Sequence, residues 1–217
     1  MKFIKRAKLK IIIFGTNDIA RLAKFYFDND SSNNVVAFCV DSKYLVDDKV
    51  ENLPVTSFEE VENLYPPKDH CFFAPLYDNK LRENKSKEIK KKGYELTSYV
   101  SSKATVWSPV GENCFIMEDN TIQPYVDIGN NVIMWSGNHI GHHGVIKDNV
   151  FFSSHVVLSG HCVVERYCWL GVNSTIKDHI TLSEGTFVAM SAVITKNTQP
   201  YKKYMGIPAK EHGDVEI

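Results

Sequence analysis

The sequence predicts two dissimilar parts, a small parallel α/β domain over residues 1–97 and a parallel β-solenoid over residues 98–217. Three observations predict this. Stepping by six from Val110 to Ile194 meets an apolar side chain at every one of fifteen positions. Three places after each of them, the column is dominated by Asn, Asp, Gly and His, the residues that best tolerate positive φ. Before residue 98 the six-residue period is absent, and short apolar runs alternate with helix-period segments instead.

The first part reads as follows. Lys10 to Phe14 is an apolar strand that ends in Gly15-Thr16-Asn17-Asp18. Ile19, Leu22, Ala23 and Tyr26 then keep helical spacing, with Thr16 or Asn17 as the N-cap. Val35 to Val40 is a second strand closed by Asp41, and His70 to Ala74 a third. Leu81 to Lys92 reads as a helix stopped by Gly93, and its lysine run, interspersed with Glu83 and Glu88, as a wet helix face. Glu95 to Val100 is a strand entering the solenoid.

The repeat itself comes next. Val110, Ile116, Ile122, Ile128, Met134, Ile140, Ile146, Phe152, Leu158, Val164, Leu170, Ile176, Leu182, Val188 and Ile194 form its inward column. No heptad and no strand alternation holds phase at six for this long. Four places after each apolar residue the side chains are mostly small or β-branched, including Cys114, Val126, Val132, Val150, Val156, Cys162, Cys168, Ser174, Thr186 and Ala192. They suit a second inward slot, so these cysteines are expected to pack the core. The corner column runs from Asn113 through His143, His161 and His179 to Asn197. Three such corners close one triangular coil, so each coil takes three repeats, and residues 110–199 supply five coils.

Composition narrows the partners. The formal net charge of −1 offers no global field for nucleic acid or an anionic membrane, and the basic residues Lys2, Lys5, Arg6, Lys8 and Lys10 read as a solvated end. No apolar stretch approaches the ~20 residues of a membrane helix, and the apolar run after Lys10 is too short for a secretory leader. Five cysteines without paired spacing agree with a reducing compartment, so a cytoplasmic location is expected.

Four histidines, His143, His155, His161 and His179, are accounted for by the corner geometry. His143, His161 and His179 should stack, which also raises a zinc ladder, but no neighbouring carboxylates stand ready to support one. His142 is the only histidine of its column. One coil later that column holds Gly160, whose missing side chain leaves a groove beside the imidazole. Histidine is the commonest general base, which makes His142 the catalytic candidate.

The repeat and the closing Gly206-Ile207-Pro208-Ala209-Lys210 resemble the hexapeptide-repeat acyltransferases, whose solenoid is a left-handed parallel β-helix. With the Rossmann-like α/β domain in front, nearly the whole chain is similar to bacterial nucleotide-linked amino-sugar N-acetyltransferases of the bacillosamine and viosamine type, grouped with sialic acid O-acetyltransferases. NHIGHHGVIKD (138–148), LGVNSTI (170–176) and GIPAK carry the resemblance. It implies acetyl transfer from acetyl-CoA, without a metal, to a nucleotide-linked 4-amino-4,6-dideoxyhexose for surface-glycan synthesis. In this reading His142 is the general base and the Gly160 N–H the oxyanion donor. His143 stands where the family has a carboxylate, which leaves the orienting of His142 to Asn138 or a substrate phosphate. The resemblance also implies a homotrimer with acetyl-CoA between neighbouring solenoids, touched by Phe151, Gly160, Val172, Met190 and Lys210.

The nucleotide is expected on the first domain. Gly15, Thr16 and Asn17 form a strand-to-helix turn whose free N–H groups favour phosphate, and Asp41 can meet the base or ribose. A plain tight turn explains Gly15 equally well, and a single glycine of GxGxxG argues against NAD. Tyr77 is carried over by position. The family has a histidine where Ile19 stands here, and Trp135 is expected to take its place against the sugar. The competing readings are an O-acetyltransferase of a sialic-acid-like sugar, a zinc lyase and a non-catalytic nucleotide-sugar sensor.

Overall fold

The structure is a computed structural model that describes residues 8–215. Lys2, Lys5 and Arg6 of the basic cluster lie outside the described residues. The chain forms two compact units: one runs to Leu76 and resumes over Asn84–Thr97, the other takes Tyr77–Glu83 and everything from Ser98 onward.

In the first unit, β1 (Lys10–Phe14) is the central strand. It pairs in parallel with β2 (Asn34–Val40) on one side and with β5 (Cys71–Phe73) on the other. Ile11, Ile12 and Ile13 have no solvent exposure, as expected of a parallel strand covered on both faces. β4 (Leu53–Ser57) extends the sheet beside β2, β3 (Lys49–Val50) joins β4 antiparallel, and β6 (Glu95–Leu96) pairs with β5. Helix α1 (Asp18–Asp30) starts at Asn17, whose side chain accepts the Ala20 N–H, and buries Ile19, Ala20, Ala23 and Phe27. A short helix, α2 (Val61–Leu64), precedes β5, and α3 (Asn79–Lys91) follows it.

Two expectations need correction here. Glu95–Val100 is not one strand: β6 ends at Leu96, and Tyr99–Val100 belongs to a sheet of the solenoid. The lysine run on α3 is not uniformly wet. Lys85 is 4% exposed, its ammonium lying over the rings of Phe14 (4.6 Å) and Phe58 (4.5 Å) and bonded to Asp41 (2.7 Å) and Glu88 (2.5 Å). Arg82 is wholly buried, and that burial pulls its pKa down to about 9. It donates to the Asn131 and Tyr77 carbonyls and to Asn79 Oδ1, tying the Tyr77–Glu83 segment to the solenoid.

The second unit is a left-handed parallel β-helix. Two-residue strands stack in three sheets, each strand pairing in parallel with its counterpart one coil later, as in Ile133, Phe151, Trp169 and Phe187. The faces follow in chain order: a first with Phe151–Phe152, a second with His139–Ile140 and a third with Val145–Ile146. The inward column from Ile116 to Ile194 is buried throughout, and the second inward slot buries all three of its cysteines. The first coil is out of step. Val100 pairs with Ile116 and Val106 with Ile122, closer in sequence than a full coil, so the six-residue count loses phase just before Val110.

Fourteen of the corner residues, from Asn113 to Ser191, hold φ between 54° and 77°. Tyr125, Tyr167 and Ser191 adopt this conformation as readily as the asparagines do, so the coil imposes it on whatever residue stands there. Asn197 does not. Its side chain accepts the Thr181 N–H, and the left-handed turn falls instead at Tyr201, after Pro200 ends the repeat. Inside the corners, asparagines one coil apart form amide ladders, Asn113–Asn131–Asn149 and Asn120–Asn138, with 2.9 Å links. The chain then forms an antiparallel pair, Lys202–Met205 with Lys210–Asp214, around a cis Ile207–Pro208 bond.

Candidate active site

The corner between the second and third faces carries the catalytic candidates. His143 is the left-handed corner residue (φ 57°), and His142 precedes it. The backbone around His142 is fixed on both sides: its N–H donates to Gln123 Oε1 (2.9 Å), and its carbonyl accepts the His161 N–H (3.0 Å). Gln123 leaves no signal in the sequence, because a single glutamine in an open column has no period to betray it.

The predicted stack is present. His143, His161 and His179 lie face to face with centroids 4.9 and 4.7 Å apart, and Tyr125 extends the column at 4.8 Å from His143. His142 stands perpendicular to both His143 and His161, at 5.2 Å from each. Its Nδ1 lies 3.0 Å from the Nδ1 of His143. The imidazole of His161 is held below its ordinary pKa, first by loss of water and then by repulsion from the imidazoles of His179, His143 and His142.

Among the described residues, His142, His143 and His161 form a group whose nearest ligand atoms lie within 4.8 Å of one another. The rings of His143 and His161 are 12° from parallel, so their in-plane lone pairs run side by side instead of converging on one ion.

Gly160 packs directly against the imidazole of His142. A Cβ there would sit 2.9 Å from His142 Cε1 and 3.1 Å from Nε2, so the imidazole lies directly over the Gly160 Cα. Among the described residues the Gly160 N–H has no hydrogen-bond acceptor, although its carbonyl accepts the His179 N–H. Gly141 is required beneath it, since a Cβ there would meet the Gly160 nitrogen at 2.6 Å. An imidazole and an uncommitted backbone donor thus lie side by side.

Asn138, the expected orienting group, is not part of it. Its amide donates to Asn120 Oδ1 and to the Trp135 carbonyl, and its oxygen accepts the Val156 N–H, all inside the coil. No thiol supplies a nucleophile either. All five cysteines are buried, and burial pushes Cys71 up to about 11 and Cys114 and Cys168 up to about 12.

The other candidates sort by register. Val172 and Met190 are one coil apart and stack at the corner between the first and second faces, 41% and 74% exposed. Val172 follows His142 by one coil and two further corners, so the two stand on different edges of one prism. Phe151 lies on the first face and is 3% exposed, packed on Trp169 (3.9 Å) and beside Tyr77 (5.9 Å). Tyr77 also stacks on Trp135 at 6.4 Å. Phe151, Tyr77 and Trp135, all expected to touch a ligand, therefore form one aromatic cluster, with Phe151 as its floor. Lys210 is exposed on the C-terminal strand pair.

In the α/β unit the carboxyl ends of β1 and β2 bring Gly15 and Asp41 to adjacent strands. Gly15 (φ 104°) donates to the Cys39 carbonyl, Thr16 accepts from Arg21 through its carbonyl, and Asn17 caps α1. Asp41 is bonded to Lys85, a partner hidden in the sequence by the charged run around it. β1 is also where the sheet order reverses, the place where open α/β sheets take ligands.

No family model matches the chain. Two curated proteins are similar to part of the chain: an acyl-[acyl-carrier-protein]–UDP-N-acetylglucosamine O-acyltransferase of Sinorhizobium fredii and a serine acetyltransferase of Buchnera aphidicola. Both are 26% identical, over 46% and 55% of this chain, and the chain spans 39% and 46% of their lengths, less than half of either. Solved structures extend the likeness to both units. A mutant perosamine N-acetyltransferase of Caulobacter crescentus, in complex with CoA and GDP-perosamine, has a TM-score of 0.86 at 20% identity over 94% of this chain and 97% of its own. The PglB acetyltransferase domain of Neisseria gonorrhoeae, in complex with acetyl coenzyme A, gives 0.85 at 18% identity over 95% and 100%. WeeI of Acinetobacter baumannii gives 0.80 at 20% identity over 94% and 100%. These likenesses fix the fold: an α/β unit followed by a left-handed β-helix.

Proposed function

We propose that this chain is an acetyl-CoA-dependent N-acetyltransferase of a nucleotide-linked amino sugar, with a 4-amino-4,6-dideoxyhexose as the acceptor. The observation that carries the reading is the imidazole of His142 lying over Gly160, whose N–H is uncommitted. It is supported by the shared fold of proteins solved with CoA and GDP-perosamine or with acetyl coenzyme A.

In this reading His142 Nε2 takes the proton from the sugar amine as its nitrogen bonds to the acetyl carbon. The Gly160 N–H donates to the oxyanion of the tetrahedral intermediate. When the carbon–sulfur bond breaks, the His142 imidazolium returns the proton to the departing thiolate, giving amide and free CoA. A positioned base supplies about 10²–10⁴-fold, and alignment of the two substrates supplies more. Asp41 and the Gly15–Asn17 turn hold the nucleotide.

His142 and the pair Val172 and Met190 occupy different edges of one prism, so the proposed site is completed by a neighbouring chain, in a homotrimer. Acetyl-CoA then runs along the neighbouring chain's equivalent corner.

The test is incubation with acetyl-CoA and a panel of dTDP-, UDP- and GDP-linked amino sugars, read by mass spectrometry for one added acetyl group. A modified amine supports the proposal. Modification of a hydroxyl alone selects an O-acetyltransferase, and binding without modification a nucleotide-sugar sensor.

A further inference from the structure

Neutral histidine has two tautomers, and only the one protonated at Nδ1 leaves Nε2 free to take a proton. A base of this kind needs an acceptor beside Nδ1. Among the described residues, the polar side-chain atom within hydrogen-bond reach of His142 Nδ1 is His143 Nδ1, 3.0 Å away. Two facing nitrogens at this distance must share one proton, so one ring donates and the other accepts.

We propose that His143 is the positioning residue of the acetyl-transfer site: its Nδ1 accepts the Nδ1–H of His142 and so presents Nε2 over Gly160 as the base. The inference rests on the acetyl-transfer reading given above.

The surroundings suit His143 to this role. Its backbone is pinned at the left-handed corner, and its ring is clasped between Tyr125 at 4.8 Å and His161 at 4.9 Å. The acceptor is therefore held still beside the His142 ring. When His142 takes the amine proton, its Nδ1–H bond to a neutral imidazole becomes charge-assisted.

One consequence separates this arrangement from a carboxylate partner. A proton on His143 converts its Nδ1 into a donor, drives the His142 proton to Nε2 and removes the base. A proton on His142 removes it directly. Both rings must be neutral for the base to act. The titratable groups facing the pair are His161, edge-on to His142 and stacked on His143, and the phenol of Tyr125. Behind His161 come His179 and, contrary to the expectation that the stack has no carboxylate beside it, Asp178, 3.8 Å from the His179 Nε2. Gln123 faces only the His142 backbone.

The experiment compares His143→Asp, His143→Asn and His143→Phe. All three fit the corner, since Asp, Asn and an aromatic residue already hold positive φ at other corners. The expected results are a kcat lowered about 10²-fold in His143→Phe with KM unchanged, and retained to within about tenfold in His143→Asn and His143→Asp. ¹⁵N NMR of the ligand-free protein reads the tautomer without turnover. His142 should carry its proton on Nδ1 in the wild type and lose that preference in His143→Phe. Wild-type kcat in His143→Phe, or an Nε2-protonated His142 in the wild type, overturns the proposal. If the wild-type protein acetylates none of the sugars, the failure is that of the function, and the NMR result still decides the pairing.

Discussion

Replacing Gly160 with alanine tests the heart of the proposed site. The added Cβ would stand 2.9 Å from His142 Cε1. Carbon atoms in contact prefer about 3.5–4.0 Å, so the imidazole must retreat by about 0.6–1.1 Å. The backbone does not resist, because Gly160 lies outside the positive-φ region, and the exposed His142 ring can shift outward at the expense of its contact with His143. The change therefore falls on the position of the ring and hardly on the fold, with stability altered by less than about 1 kcal/mol. A displacement of about 1 Å costs roughly 10²-fold in rate, equivalent to about 2.7 kcal/mol of barrier. The loss should approach that of His142→Ala, about 10²–10⁴-fold. Release of CoA thiol, followed with a chromogenic disulfide reagent, is a clean assay because all five protein thiols are buried. The reasoning is refuted if Gly160→Ala keeps its melting temperature and turns over within twofold of wild type. A collapse in melting temperature would refute it differently, by showing that the fold resists the methyl group.

Three further outcomes follow from the structure. Phe152→Ala opens a cavity in the solenoid core, where the ring is wholly buried, and should cost about 3–5 kcal/mol in urea unfolding. Arg82→Met removes donors to two carbonyls and to Asn79 Oδ1, and should cost about 1–3 kcal/mol. Hydrogen exchange in that variant should speed up first over Tyr77–Glu83. The third outcome concerns pH. His161 binds its proton less readily folded than unfolded, so the unfolded chain carries more protons just below the free imidazole value of about 6.5. Stability should rise with pH across that window and level off above it. His161→Asn, which suits the corner, should flatten part of that slope when urea midpoints are compared between pH 5.5 and 7.5.

The solenoid is legible in the sequence because its physics is periodic. One inward position in every repeat leaves a mark such as Ile140, Ile146 and Phe152 that no helix or flat strand imitates. The first coil escapes for the same reason, since a shortfall before Ile116 breaks the count without changing the architecture. His142 and Gly160 stand out as exceptions within their columns. Lys85 and Arg82 do not, because a charged side chain buried by pairing has the same letter as a wet one. The hairpin of β3 and β4 and the short α2 carry too few residues for a period to form. Asn138 misleads for a related reason: adjacency in the chain to His139 and Ile140 says nothing about its ladder partner, Asn120, one coil away.

The left-handed corners have a consequence for how such a chain can change. Most are held by a backbone hydrogen bond to the preceding coil, as where the His161 N–H meets the His142 carbonyl, so the bend does not depend on the side chain it carries. Tyrosine, histidine, serine and asparagine all occupy that bend here at nearly the same φ. A corner is thus a mounting whose angle is set before its contents are chosen. New chemistry can be exchanged along an edge of the prism, one rung at a time, while the apolar interior behind it stays as it was.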